Sequence, residues 1–108
     1  MTARLFLLQR LTAAVMAPLV LGHVALIVYA TGQGLSAEAI LGRTRGSIFW
    51  AAYYTLFVAA AAVHAPIGLR AVLREWSAWR GRSLDVAMAV LGAALLVLGL
   101  RAVVAVTV

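Results

Sequence analysis

Residues 48–69 carry no charged side chain, yet one imidazole, His64, stands inside the run. At about 1.5 Å per residue a helix of that length reaches about 33 Å, enough to cross the hydrocarbon core of a bilayer. Hydrocarbon offers backbone N–H and C=O groups no partner except each other, so such a run is constrained to be helical. An ionisable side chain at that depth is costly and marks a candidate functional group. Histidine can also ligate a metal without carrying charge. Gly68 follows one turn later on the same face, and Ala60 and Ala61 fall near that face one turn earlier. This spacing predicts a shallow surface beside the imidazole, suited to a large flat ligand such as haem. The same residues also suit a plain helix–helix contact, with the imidazole bonding a neighbour and small residues allowing close approach.

The rest of the chain agrees with a membrane setting. Of its 108 residues 66% are hydrophobic and 11% charged, where soluble domains average about 45–50% and about 25%. The reading is one all-α membrane domain over residues 1–108, with transmembrane helices at about 5–30, 47–76 and 84–107. The first core, residues 11–30, has no charge; the third helix is interrupted only by Arg101 near its end, where a long side chain can snorkel. Pro18 and Pro66 lie within helices and are expected to bend them. Thr31-Gly-Gln-Gly34 reads as a helix stop. Residues 35–41 read as a short interfacial helix capped by Ser36, followed by a polar turn at Gly42–Gly46. Phe49, Trp50, Tyr53 and Tyr54 read as an aromatic belt at one membrane face. Arg4 and Arg10 precede the first apolar run, but no small-residue cleavage site follows, so that helix is expected to be retained.

The net charge is +6, and the basic residues behind it are all arginine. In a soluble protein this would point to nucleic acid. Here the arginines flank apolar runs, so membrane topology and anionic lipid account for them, and no nucleic-acid partner is expected. Arg4, Arg10, Arg70, Arg74, Arg80 and Arg82 fall on one side, and Arg43, Arg45 and Arg101 on the other. The positive-inside rule then places the N-terminus in the cytoplasm and, after three spans, the C-terminus outside.

The sequence lacks cysteine, and its three acids, Glu38, Glu75 and Asp85, are scattered. It holds no nucleophile–base pair, no His-x-x-x-His spacing and no Gly-rich phosphate loop. A transporter would usually need an acid within the membrane, and only Asp85 comes near, at a helix edge. Catalysis by this chain alone is not expected.

His64 precedes Arg70 by six residues, about 9 Å along the axis, and Arg10 sits at a similar depth one helix away. An iron porphyrin with its propionates toward the cytoplasm would use this arrangement, the imidazole on iron and the guanidiniums on carboxylates. Ordinary positive-inside flanking explains the arginines equally well. His23 lies 13 residues after Arg10, about 20 Å along its helix. The two imidazoles are therefore offset by about 10 Å, whereas two ligands of one iron stand about 4 Å apart. A partner subunit is expected to supply the second ligand. His23 is left either as a helix–helix hydrogen bonder or as ligand of a second haem nearer the outer face.

Gln9-Arg10-Leu-Thr12-Ala and His64-Ala-Pro-Ile-Gly68-Leu-Arg70, followed by Glu75-Trp76, resemble the cytochrome b membrane anchors of succinate dehydrogenase and the related fumarate reductases, most closely the small hydrophobic anchor type. The resemblance implies three membrane helices, a haem b with His64 as axial ligand shared with a second membrane anchor subunit, and Arg10 near the propionates and quinone. It implies Arg70 near a propionate, and Glu75 and Trp76 beside ubiquinone or menaquinone. Relatives often carry Tyr where Trp76 stands; an indole N–H only donates. Ala71 and Gln9 stand where the large-anchor subfamily has histidines, so one shared haem is implied rather than two. The implied partners are an iron–sulfur subunit, docked on Arg70, Arg74, Arg80 and Arg82, and a flavoprotein that oxidises succinate. The implied location is the bacterial cytoplasmic (inner) membrane. The alternative is a cofactor-free three-helix structural or assembly protein.

Overall fold

A computed structural model describes residues 2–108. It contains four helices: α1 (Ala3–Gln33), α2 (Ala37–Thr44), α3 (Ile48–Trp76) and α4 (Arg82–Thr107). Three of them, α1, α3 and α4, are long and apolar enough to cross a membrane, and the bundle is 47 Å long. Large apolar side chains such as Leu21, Val28, Leu56, Val90 and Leu98 are exposed along these helices. That pattern is unfavourable in water and ordinary against lipid tails.

Three of the four helices, α1, α2 and α3, begin where a hydroxyl serves the free N–H groups of the first turn, whereas α4 starts after Gly81 with no side-chain cap. Thr2 accepts from the Leu5 N–H, Ser36 from Ala39, and Ser47 from Trp50. The first stop comes at Gly34, whose φ of 111° is readily reached only without a side chain. The short helix expected at 35–41 is present, but it continues to Thr44, so that only Arg45 and Gly46 of the expected turn remain a turn. Thr44 explains the extension. It is buried, and its hydroxyl contacts the Ile40 carbonyl at 3.3 Å and the Val106 carbonyl at 2.6 Å. The Gly46 N–H donates to the Thr107 carbonyl at 2.8 Å. The α2–α3 turn thus occupies carbonyls at the end of α4 that would otherwise lack partners.

The long helices run up, down and up, with α3 in the middle. Both α1 and α4 pack against α3 far more than against each other. The α3–α4 seam is closed by small residues. A Cβ built on Gly92 would lie 3.1 Å from the Ala62 carbonyl oxygen, and one on Gly99 would run into the Val58 side chain. Ala62, Pro66, Leu84 and Met88 are buried. Without a hydrophobic drive between helices in lipid, such close approach is a main source of affinity.

Gly99→Ala is therefore expected to destabilise the bundle by about 1–3 kcal/mol through overpacking against Val58. Gly32→Ala, with open space at its Cβ, should have little effect. Unfolding titrations in mixed micelles would compare the two.

Candidate functional site

Thr12 of α1 and His64 of α3 meet, with the Thr12 hydroxyl 3.0 Å from His64 Nδ1. The contact follows from helix periodicity. Gln9, Thr12 and Ala13 repeat at three- and four-residue spacing and so share one stripe of α1. His64 and Gly68 do the same on α3. The Gln9 amide lies over Gly68, where a Cβ would stand 2.9 Å from its nitrogen. The carbonyl oxygen of that amide is buried and has no hydrogen-bond partner.

Beside this contact is an open groove of about 460 Å³ lined by Gln9, Arg10, Ala13, Ala14 and His64. It joins the imidazole, a guanidinium and small residues in one concavity. The small residues come from α1, not from the α3 alanines where the sequence reading places the shallow surface. Neither Ala60 nor Ala61 lines the groove, and Gly68 is covered by Gln9. Arg10 is exposed, with its guanidinium 5.6 Å from the Phe6 ring centre.

Arg70 turns elsewhere. Its Nε donates to Asp85 Oδ1 at 2.7 Å across the α3–α4 seam. That ion pair sits at one end of a second groove, of about 420 Å³, whose walls include Ala62, Pro66, Met88 and Gly92. Glu75 is exposed and lines a polar groove of about 270 Å³ with Arg70, Ala71, Arg74 and Arg80. Trp76 ends α3 and is 84% exposed. Neither side chain lines the His64 groove.

His23 occupies a different level. Its Nδ1 is 3.3 Å from the Tyr54 hydroxyl, and its ring meets Tyr54 and Phe57 edge-on. The Tyr53 hydroxyl donates to the Leu19 carbonyl of α1. Both tyrosines of the expected belt therefore bridge α1 and α3. Since α1 meets His64 at Thr12 and bears the other imidazole 11 residues on, the two histidines are about 16 Å apart along the helix axis. Two ligands of one iron stand about 4 Å apart. Among the described residues no three His, Cys, Asp or Glu side chains cluster as a metal site. The two histidines of this chain cannot therefore ligate one iron together.

These observations define a class, a multi-pass helical membrane protein with an imidazole and a guanidinium in one lateral groove. Residues 1–100 match the succinate dehydrogenase/fumarate reductase transmembrane subunit family, and the chain belongs to that family. No individual curated protein and no solved structure matches it significantly.

The sequence reading missed Thr12 as the partner of His64, Ala13 and Ala14 as walls of the groove, and Asp85 as partner of Arg70. Arg70–Asp85 is partly solvent-exposed, at 22% and 55% of the two side chains, so its contribution is small. A double-mutant cycle with Arg70→Gln and Asp85→Asn is expected to give a coupling of about 0.5–1 kcal/mol, falling as salt is raised.

Proposed function

We propose that the chain is a membrane anchor subunit of succinate:quinone oxidoreductase, in which His64 is one axial ligand of a haem b shared with a second membrane anchor subunit. The observation that carries this reading is that His64 and Arg10 line one groove, with Ala13 and Ala14 as its flat wall. The donor set suits the group: a neutral imidazole for iron, a guanidinium for a propionate, and methyl groups for a porphyrin face. When bound, haem supplies one-electron redox capacity. The chain's part is to hold it in a low-dielectric setting and to orient its ligand.

The remaining assignments are proposed on the family's terms. Glu75 and Trp76 at the end of α3 stand beside ubiquinone or menaquinone, with the Trp76 indole as a donor to a quinone oxygen. Arg70, Arg74, Arg80 and Arg82 form the face that docks the iron–sulfur subunit, beneath the flavoprotein. Arg70 serves this face through its partnership with Asp85, and Arg10 alone serves the propionates. His23, held by Tyr54, pairs α1 with α3. The arginine distribution supports a cytoplasmic N-terminus in a bacterial inner membrane, with the C-terminus outside. The rival reading is a cofactor-free structural subunit. It is favoured by the Thr12 contact, which is also what an imidazole used only for helix pairing would make.

A reduced-minus-oxidised spectrum of the purified complex separates the two. A b-type haem signal is expected, and His64→Leu should abolish or shift it while the subunits remain associated. An unchanged spectrum in that variant overturns the ligand assignment.

A further inference from the structure

The hydroxyl of Thr12 has three neighbours and one proton. Its oxygen is 2.7 Å from the Leu8 carbonyl oxygen, 3.1 Å from that of Gln9 and 3.0 Å from His64 Nδ1. Were the proton directed at Nδ1, the hydroxyl and Leu8 oxygens would face each other at 2.7 Å with no hydrogen between them. Two acceptor lone pairs at that distance repel, whereas 2.7 Å is the usual length of an O–H···O hydrogen bond. The proton therefore lies toward Leu8, one turn earlier on α1. What remains on the Thr12 oxygen is lone-pair density, and a ring nitrogen 3.0 Å away satisfies it as an N–H donor at the usual N–H···O length.

We infer that Thr12 is a positioning residue that fixes His64 in the Nδ1–H tautomer and so leaves Nε2 as the nitrogen able to bind a metal. A neutral imidazole has one protonated and one bare nitrogen, and the bond made by one decides the role of the other. Ligating histidines typically donate their second N–H to an oxygen, which orients the ring and makes the ligand more basic. Here the acceptor is itself anchored, because the Leu8 carbonyl holds the hydroxyl rotor. Helix α1 thus contributes to the iron site a group that never touches iron. The inference deepens the haem reading and rests on it for its purpose, but the tautomer is a property of the protein alone.

That independence shapes the test. The haem-free full-length chain, ¹⁵N-labelled at histidine, is placed in lipid bilayers, and the His64 ring resonances are identified by their loss in His64→Leu. The Nδ1–H tautomer is expected in the native chain. It should persist in Thr12→Ser, which keeps the hydroxyl, and give way to a mixture in Thr12→Val, which keeps the shape without it. In the haem-loaded complex Thr12→Val should shift the haem midpoint potential upward, since a less basic imidazole stabilises ferric iron less, and Thr12→Ser should restore it. An Nε2–H tautomer in the native chain overturns the inference, and so does an unchanged tautomer in Thr12→Val. A complex without a b-type spectrum, in which the native tautomer is still Nδ1–H, refutes the haem reading and leaves the tautomer assignment standing.

Discussion

A polar atom placed among lipid tails has no water to fall back on, and the bundle is organised around meeting that requirement. Side-chain hydroxyls bridge from one helix to the next at several levels: Thr12 to His64, Tyr53 to Leu19, Tyr54 to His23, and Thr44 to Val106. Each bond joins groups that would be costly to leave alone in hydrocarbon. The α1–α3 seam carries three of these contacts. Its register is therefore set by chemistry as well as by shape, because a slip of one turn would strand all three pairs.

The α3–α4 seam works differently. Gly92 and Gly99 admit Ala62 and Val58, and the contact is close packing with a single ion pair at one end. Helix α3 thus presents two unlike faces. The one bearing His64 and Gly68 meets α1 through polar contacts. The one bearing Val58, Ala62, Pro66 and Arg70 meets α4 through packing. Burying the second face firmly leaves the first free to hold a partly buried imidazole at the edge of a groove.

Much of this was legible in the sequence, for physical reasons that also mark where legibility stopped. Uncharged runs of bilayer length admit little besides helices, so the number and order of the spans followed directly. Depth within one helix was legible too, since rise per residue is nearly constant, but the relative height of two helices was not: Thr12 stands opposite His64, so Arg10 is not level with Arg70 and the histidine offset expected at about 10 Å is about 16 Å. Azimuth was less well used. Arg70 lies six residues after His64, and at about 100° per residue the two side chains diverge by about 120°. That angle alone separates Arg70 from the His64 groove and turns it toward another helix. The partner of His64 required the relative phase of two helices, which depends on packing. One signal was available: Gln9, Thr12 and Ala13 interrupt a leucine-rich stretch at helical spacing, the mark of a helix face that meets protein rather than lipid. The extension of α2 through Gly42 was hidden because its cause, the bond from Thr44 to the far end of α4, spans 62 positions in the chain.

Because α1 and α4 flank α3 and barely meet, the concavity at His64 has walls on two sides only, and its lining residues Arg10, Ala13 and Ala14 are exposed. Entry is therefore sideways, within the plane of the bilayer, and needs no rearrangement of the chain's own helices. On the haem reading proposed above, a subunit built this way can insert and finish folding first, then receive the prosthetic group and a neighbour as a later lateral capture. Biogenesis would then be ordered by diffusion in two dimensions, with the empty subunit a waiting state in its own right.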